Sequence, residues 1–341
     1  MRSTLSHRVF TGLAIFGLAS TASFAAAVRL PPAAVDHHLH IQGPEVTAEL
    51  KRMAARSPEL FKGIDSSLLN TRTGADAIRV LDEAGIEQGV LLSEAYVFAS
   101  PFAQQDRLDV TRLTRLENEY NVKAALASGG RLKAFVGVNP FSAGALDELR
   151  YWAGRKGVTG VKLQLGNSGF DPRSANDLAK LASFFDAART AKLPLVIHVR
   201  SATEYGPVDV RRFLGQALSH AGDLPIQIAH SGGWGGLDEA TLAALSAYAI
   251  AIEHDAAGTK HLVFDLAVVI VDDKTDPRLA RRFVELVRRI GLRRFVMASD
   301  WPSLYAPDKH NKLAESQLPF TEAEWRLILN NRAPYLRDPA P

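Results

Sequence analysis

Ala33-Ala34-Val35-Asp36-His37-His38-Leu39-His40-Ile41-Gln42-Gly43 is the stretch on which the fold turns. Its apolar residues have the length and composition of a buried strand. The chain after it alternates apolar runs with amphipathic stretches, and two architectures are built that way: an open, doubly wound parallel sheet and a closed barrel. An open sheet of that kind normally places a Gly-rich phosphate-binding turn after its first strand. Here that place holds His38-Leu39-His40-Ile41-Gln42-Gly43 instead. Side chains alternate faces along a strand, so His38 and His40 point one way with Asp36 deeper on the same face, and His37 and Leu39 point the other. One cation can take both imidazoles.

Working outward, eight apolar runs follow Pro31-Pro32: Ala33 to Ile41, Gly89 to Ser93, Leu132 to Val138, Val158 to Leu165, Leu193 to Val199, Ile226 to Ala229, His261 to Ile270 and Arg294 to Ala298. Helix signals lie between them. Asp276-Pro277 is a cap followed by proline, then come Leu279, Phe283, Leu286, Val287 and Ile290, and Gly291 is a stop. A second stripe has Leu178, Leu181, Phe184, Phe185 and Ala188. Eight repeated βα units predict a parallel sheet closed into a (β/α)8 TIM barrel, for which 341 residues is an ordinary single-domain length. The segment from Thr47 to Arg72, with Lys51, Arg52, Arg56 and Lys62, reads as an insertion after strand one that caps the C-terminal face.

Arg2 and Arg8 precede an apolar stretch from Phe10 to Phe24, and Ala25-Ala26-Ala27 supplies the small residues of a cleavage site. Residues 1–27 are therefore expected to be a signal peptide and 28–341 the mature domain, periplasmic or secreted. Gly, Ser and Thr interrupt the stretch, which falls short of the roughly 20 strongly apolar residues of a span, so no membrane span is expected after processing. Processing removes two arginines and no acid, taking the balance from 40 basic against 37 acidic side chains to 38 against 37. No Lys/Arg run tracks a phosphate backbone and no basic stripe carries aromatics, which argues against nucleic acid. Cysteine is absent, which suits an oxidising compartment and excludes disulfides, thiolate ligands and a cysteine nucleophile. A metal must then be held by His, Asp, Glu or a modified Lys.

In a barrel the carboxyl ends of all strands meet at one face. His38 and His40 end strand one, Lys162 and Gln164 strand four, His198 and Arg200 strand five, His230 strand six and Asp300 strand eight. A divalent cation bound by three or four of these lowers the pKa of its water toward about 7, and a nearby histidine or Asp300 can move protons. Two histidines on one strand face are weak evidence alone; with three more candidates at later strand ends, chance convergence is a poor explanation. Arg200 suits a substrate carboxylate or a rim salt bridge equally. Glu94, Tyr96 and Trp234 lie just past strand ends, where pocket walls are built, and Gln164 shares the facing of Lys162. His37, His220, His254, His261 and His310 are read as structural.

These residues resemble the amidohydrolase superfamily: Asp36-x-His38-x-His40, Gly160-Val161-Lys162-Leu163, His198, Ala229-His230-Ser231-Gly232, Ala298-Ser299-Asp300-Trp301-Pro302, and the late Leu327 to Ala333 followed by Tyr335-Leu336. More narrowly they are similar to the amidohydrolase-related branch, which includes aminocarboxymuconate semialdehyde decarboxylase and metal-dependent lactone hydrolases. The likeness runs from about Ala34 to Leu336. It implies a distorted barrel with one divalent metal, usually zinc with manganese as the alternative, held by His38, His40, His198 and Asp300, and His230 as general acid/base. In binuclear relatives a strand-four lysine is carbamylated and bridges two metals; in many single-metal relatives it contacts substrate, so Lys162 belongs to the ligand set or to the substrate set.

The leading expectation is a secreted metal-dependent hydrolase acting on a C–N or C–O bond of an amide, lactone or ester, with a small-molecule substrate and His230 and Asp300 as its catalytic pair. The alternatives are a non-oxidative decarboxylase of an aromatic or muconate-type acid and, from another class, a non-catalytic metal-containing solute-binding protein. Apolar helix faces on a barrel serve packing and subunit contacts alike, so a homo-oligomer is compatible with the sequence.

Overall fold

The computed structural model describes residues 30–61, 66–103, 109–200 and 205–337. The expected signal segment and Lys62 lie outside the described residues. From Pro31 onward the chain forms one unit. Its eight strands are β1 (Val35–Leu39), β2 (Gln88–Leu92), β3 (Leu132–Gly137), β4 (Val158–Gln164), β5 (Leu195–His198), β6 (Ile226–Ile228), β7 (Leu262–Asp265) and β8 (Phe295–Val296). They lie in sequence order in one parallel sheet, which excludes the reversed strand order of an open doubly wound fold.

Closure between β8 and β1 is irregular, as a distorted barrel requires. Beyond the two residues of β8 the chain stays beside β1 through His37 N to Met297 O (3.0 Å), Asp300 N to His38 O (2.8 Å) and His40 N to Trp301 O (2.7 Å). Asp300 is thus tied by its own backbone to the strand that carries both histidines.

Among the described residues, ten helices interleave with the strands: α1 (Pro44–Arg56), α2 (Gly74–Ala84), α3 (Val110–Ala127), α4 (Ala145–Trp152), α5 (Ala175–Thr190), α6 (Pro207–Gln216), α7 (Glu239–Glu253), α8 (Pro277–Ile290), α9 (Pro307–Gln317) and α10 (Glu322–Asn330). Helix α8 starts where Asp276 caps the Arg278 N–H ahead of Pro277 and ends at Gly291. Its buried stripe is Ala280, Phe283, Val284, Val287 and Ile290, so the expected Leu279 and Leu286 are only partly covered. The stripe expected on α5 is buried throughout.

Two apolar runs end earlier than expected. The run His261 to Ile270 is strand only over Leu262–Asp265, and Leu266 to Ile270 continue as buried non-strand chain. The physical reason is Asp265, whose carboxylate oxygen Oδ1 accepts the N–H groups of His230 (2.7 Å) and Ala267 (3.2 Å) and so bends the chain out of the ladder. The run Arg294 to Ala298 likewise narrows to Phe295–Val296.

Val35, Val90, Leu92, Phe135 and Val196 form an apolar cluster contributed by β1, β2, β3 and β5, and Tyr335 and Leu336 pack against it from the end of the described chain. Burial of each such side chain is worth about 1.5–3 kcal/mol. The insertion after β1 is largely helical. Val46, Leu50 and Met53 of α1 pack on Tyr96, Val97, Phe98 and Leu113. Arg52 and Arg56 both turn back onto Glu49 (2.8 and 3.3 Å), while Arg72 reaches over the Trp301 ring beside Asp300. No helix among the described residues is long and apolar enough to cross a membrane.

Candidate functional site

The two histidines of β1 lie as the strand alternation requires. His38 Nε2 and His40 Nε2 are 3.1 Å apart, and each is 3.1 Å from Asp300 Oδ1. Four bonds of about 2.0–2.1 Å arranged tetrahedrally around zinc put ligand atoms roughly 3.3 Å apart, so this triangle has nearly the edge length of one tetrahedral face. His230 joins it: one ligand atom each from His38, His230 and Asp300 lie within 4.8 Å of one another, all buried.

The far side of each ring fixes which nitrogen faces the triangle. His38 Nδ1 donates to Asp265 Oδ2 (3.1 Å), His40 Nδ1 to the Leu92 carbonyl (2.6 Å) and His230 Nδ1 to the Ala267 carbonyl (3.0 Å). A neutral imidazole with its proton on Nδ1 presents a lone pair at Nε2. Three lone pairs and a carboxylate thus converge with few protons to share. His198 adds a further donor. Its ring lies 4.7 Å from that of His230, and its buried Nε2 has no hydrogen-bond partner among the described residues. An unpartnered buried nitrogen beside convergent lone pairs is the arrangement a divalent cation satisfies, so the residues fit a metal.

Lys162, also expected here, is fully buried with Nζ 3.4 Å from His38 Nε2. Burial lowers its ammonium to about 8, against the pull of Asp300 and Asp265. Burial likewise lowers His230, and takes His198 well below the usual range. Burial and Lys162 act downward on His38 too, but Asp300 and Asp265 outweigh them and its net shift is upward. Asp300 resists burial through the charge of His38 and hydrogen bonds from His38 and His40, and is held well below the carboxylate range.

The expected wall residues divide. Trp234 is half exposed and stands edge-on to His198 at 5.9 Å between centroids. Glu94 accepts a 2.6 Å bond from the Gln42 amide. Gln164 Oε1 accepts the Asn167 N–H (2.9 Å), and the Arg200 guanidinium holds Asp238 (2.9 Å), the rim salt bridge of its two expected roles. Tyr96 is buried in the apolar cluster beneath α1. Asp36 accepts the backbone N–H groups of His38 and Ser299 (3.1 and 3.0 Å), tying β1 to the Asp300 turn. His37 bridges to the Met297 carbonyl and the Ala333 N–H, and His310 Nε2 accepts the Val268 N–H, both structural as expected.

Sequence reasoning missed Asp265. It ends the apolar triplet Leu262-Val263-Phe264 of β7, and its carboxylate holds the side chain of His38 and the backbone of His230. His38 pulls its pKa down to about 2 although burial acts the other way. Gln227 of β6 donates to the same carboxylate (2.7 Å), and the Tyr335 phenol donates to the Gln227 carbonyl. A buried chain of hydrogen bonds therefore runs from the tyrosine packed against the interior cluster to His38 at the candidate metal site.

The local backbone is unusual. His230, Ser231, Val268 and Asp300 all have positive φ, at 53°, 52°, 41° and 59°. Each costs on the order of 1–2 kcal/mol for a residue with a Cβ, and each lies beyond the end of β6, β7 or β8.

Residues 35–331 match the Amidohydrolase family model, and the chain belongs to that family of enzymes. No curated protein matches it in sequence. Among solved structures it is similar to 5-carboxyvanillate decarboxylase from Sphingomonas paucimobilis, with a TM-score of 0.60 and 14% identity over 88% of this chain and 97% of that one. A probable 2-pyrone-4,6-dicarboxylic acid hydrolase from Acinetobacter baumannii with citric acid bound gives a TM-score of 0.55 and 18% identity over 87% and 96%. An amidohydrolase from Burkholderia multivorans with bound zinc gives 0.56 and 14% over 87% and 96%. At these identities the likeness speaks for the fold.

Proposed function

We propose that this chain is a metal-dependent hydrolase that opens a C–N or C–O bond of an amide, lactone or ester. The observation that supports it most is the 3.1 Å triangle of His38, His40 and Asp300, with the Nε2 of His230 and the unpartnered Nε2 of His198 beside it. On this reading His38, His40, His198 and Asp300 hold one metal, zinc or manganese, and Lys162 faces substrate. When bound, such a cation polarises a carbonyl and makes water a better nucleophile at neutral pH.

The rest falls to side chains. Asp265 and the Leu92 carbonyl keep the β1 imidazoles in one tautomer, so their lone pairs stay aimed at the same point. His230 commits Nδ1 to a carbonyl, which leaves Nε2 as the atom that takes the proton of the attacking water and returns it to the departing oxygen or nitrogen. Its lowered pKa keeps it neutral, and able to accept, at pH 7. The half-exposed Trp234 ring, edge-on to His198, offers a flat face beside that imidazole.

The second reading is decarboxylation of an aromatic or muconate-type acid, with His230 protonating carbon. It draws support from the fold likeness to decarboxylases of 5-carboxyvanillate and 2,6-dihydroxybenzoate. Purified protein loaded with zinc or manganese separates the two. Water-dependent opening of a lactone, ester or amide supports the proposal, and carbon dioxide release from aromatic acids without any hydrolysis overturns it. Export through residues 1–27 is a further part of the reading, tested by fractionation of cells making the full chain and a chain lacking those residues; cytoplasmic retention of both refutes it.

A further inference from the structure

On the side of the barrel away from the metal centre, at the amino-terminal ends of β7 and β8, a cleft of about 450 Å3 opens beside the chain that follows α10. Its walls carry Lys260, His261, Arg293, Arg294, Arg332 and Arg337 and, among the described residues, no carboxylate. Arginines elsewhere on this surface meet acids: Arg288 and Arg289 each grip a glutamate with two nitrogens, Glu324 and Glu253, and Arg282 and Arg326 meet Glu239 and Glu322. At the cleft that pattern stops. Arg294 Nη1 donates to three carbonyls, those of Thr259 (2.8 Å), Lys260 (3.2 Å) and Leu262 (2.9 Å), and Arg337 Nε donates to the Arg332 carbonyl (3.1 Å). Arg293, on the short turn Leu292–Arg294, has no carboxylate partner among the described residues. The acids that offset Lys260 and Arg332, Asp223 and Glu87, are not part of the cleft wall.

A carbonyl fixes a guanidinium in place without cancelling its charge. Arg294 and Arg337 are therefore held in position by carbonyls, with the charge of Asp255 acting on Arg294 from outside the cleft wall, and Arg293 adds a third fork with no carboxylate bound to it among the described residues. Like charges gathered in a concavity with low-dielectric walls raise the local potential and concentrate counter-ions, and the planar donor fork of arginine matches the oxygens of carboxylate and phosphate. The cleft is small, and in the arginine pairs that precede it along the sequence, Arg281-Arg282 and Arg288-Arg289, the side chains of Arg282, Arg288 and Arg289 are already matched by Glu239, Glu324 and Glu253, which leaves an extended polyanion little free charge to follow. We infer that this cleft binds a small, multiply charged oxyanion, a phosphate or a dicarboxylate, at a site separate from the catalytic pocket. An anion seated there bridges the start of β8 to the segment carrying Tyr335 and clamps that segment against the barrel.

The test uses the full metal-loaded protein titrated by calorimetry at low ionic strength with inorganic phosphate and, separately, with succinate. Wild type is compared with R293A/R337A, which alters two exposed side chains and keeps the Arg294 clasp. Saturable binding of at least one anion that weakens tenfold or more in R293A/R337A, together with a thermal midpoint that rises with that anion only in wild type, supports the site. Turnover of the metal-loaded enzyme is expected to be the same in both. R293K, which keeps the charge and loses the fork, is expected to bind with intermediate affinity. The anion that binds identifies the ligand as phosphate or carboxylate. Equal affinity in wild type and R293A/R337A, or no saturable binding of either anion at millimolar concentration, overturns the inference.

Discussion

The first four strands of the barrel run five to seven residues and the last four only two to four. Among the described residues, the six non-glycine residues with positive φ all fall from Lys192 onward. In the first half, longer backbone ladders hold the strands, with register shifts between Asp36 and Leu39 and between Ala134 and Phe135, and alternation still carries His38, His40 and Lys162 to their places. In the second half, side chains do what the ladder does elsewhere. Asp265 accepts the N–H groups of His230 and Ala267, Ser231 Oγ donates to the Asp265 carbonyl (2.8 Å), and the Val268 N–H goes to His310. Shortened strands and left-handed residues are what turn His230 and Asp300 inward. The regular half supplies rigidity, and the irregular half accepts strain in order to aim its groups.

The largest effects should come from the irregular half. His230→Ala is expected to lower kcat by about 10²–10⁴-fold, the range for loss of a general acid or base, while the metal content of the purified protein stays at the wild-type level. His198→Ala should do the reverse and lose metal. Metal analysis beside turnover checks both, and loss of metal in His230→Ala would move that residue from proton transfer to ligation.

Asp265→Asn comes next. Its carboxylate orients a ring of the regular half while sitting in the irregular one, and removing such a partner costs about 10–100-fold in metal affinity. Competition with a chelator measures it. Tyr335→Phe, two hydrogen bonds further back on the same chain, should weaken metal by a smaller factor in the same assay. Unchanged affinity in Asp265→Asn would mean that His38 keeps its tautomer unaided.

What the sequence made legible cuts across this division. Every expected run except that of β7 coincides with an observed strand to within two residues at each end, because buried strands show as unbroken apolar stretches. His38, His40, Lys162, His198, His230 and Asp300 were all visible as polar residues closing such stretches, and the structure gathers them. Asp265 was not visible because the apolar run continues past it to Ile270, and an acid inside such a run reads as an interruption rather than an end. The left-handed turns at His230, Val268 and Asp300 leave no mark either, since the usual sign of positive φ is glycine. The pairing of Arg200 with Asp238 and the support of Gln227 by Tyr335 join residues 38 and 108 positions apart, beyond the reach of any local pattern.

Strain in the irregular half can be weighed against packing in the regular one. Val90 in β2 and Val268 after β7 are both buried. Val90→Gly loses packing and backbone order and should cost about 3–5 kcal/mol. Val268→Gly loses the same side chain but releases a β-branched residue from φ 41°, and should cost about 2 kcal/mol less. Urea midpoints decide it; equal costs would show that Val268 stores no strain.

The smallest effect per pH unit separates two buried carboxylates. Asp265 faces a histidine and three N–H donors and lies at about 2, so its contribution is present above the unfolded value near 3.8 and fades only as pH falls toward 2. Glu117 on α3 accepts the Gly43 N–H and the Asn121 amide, both neutral donors, and Glu94 and Glu45 repel it. Burial is the largest cause and takes it from 4.5 to about 8. Between those values the folded chain holds a proton that the unfolded chain has released. Stability must therefore fall as pH rises from about 5 to 8, with a slope of at most about 1.4 kcal/mol per unit from this group. Glu117→Gln stays neutral throughout and should flatten that decline, gaining on wild type most at pH 8 and least at pH 5. Unfolding by urea at each pH from 5 to 8 measures the slope. If the variant kept the wild-type decline, Glu117 would have to be ionised in the folded protein, and the regular half would hold a buried charge with no cation beside it.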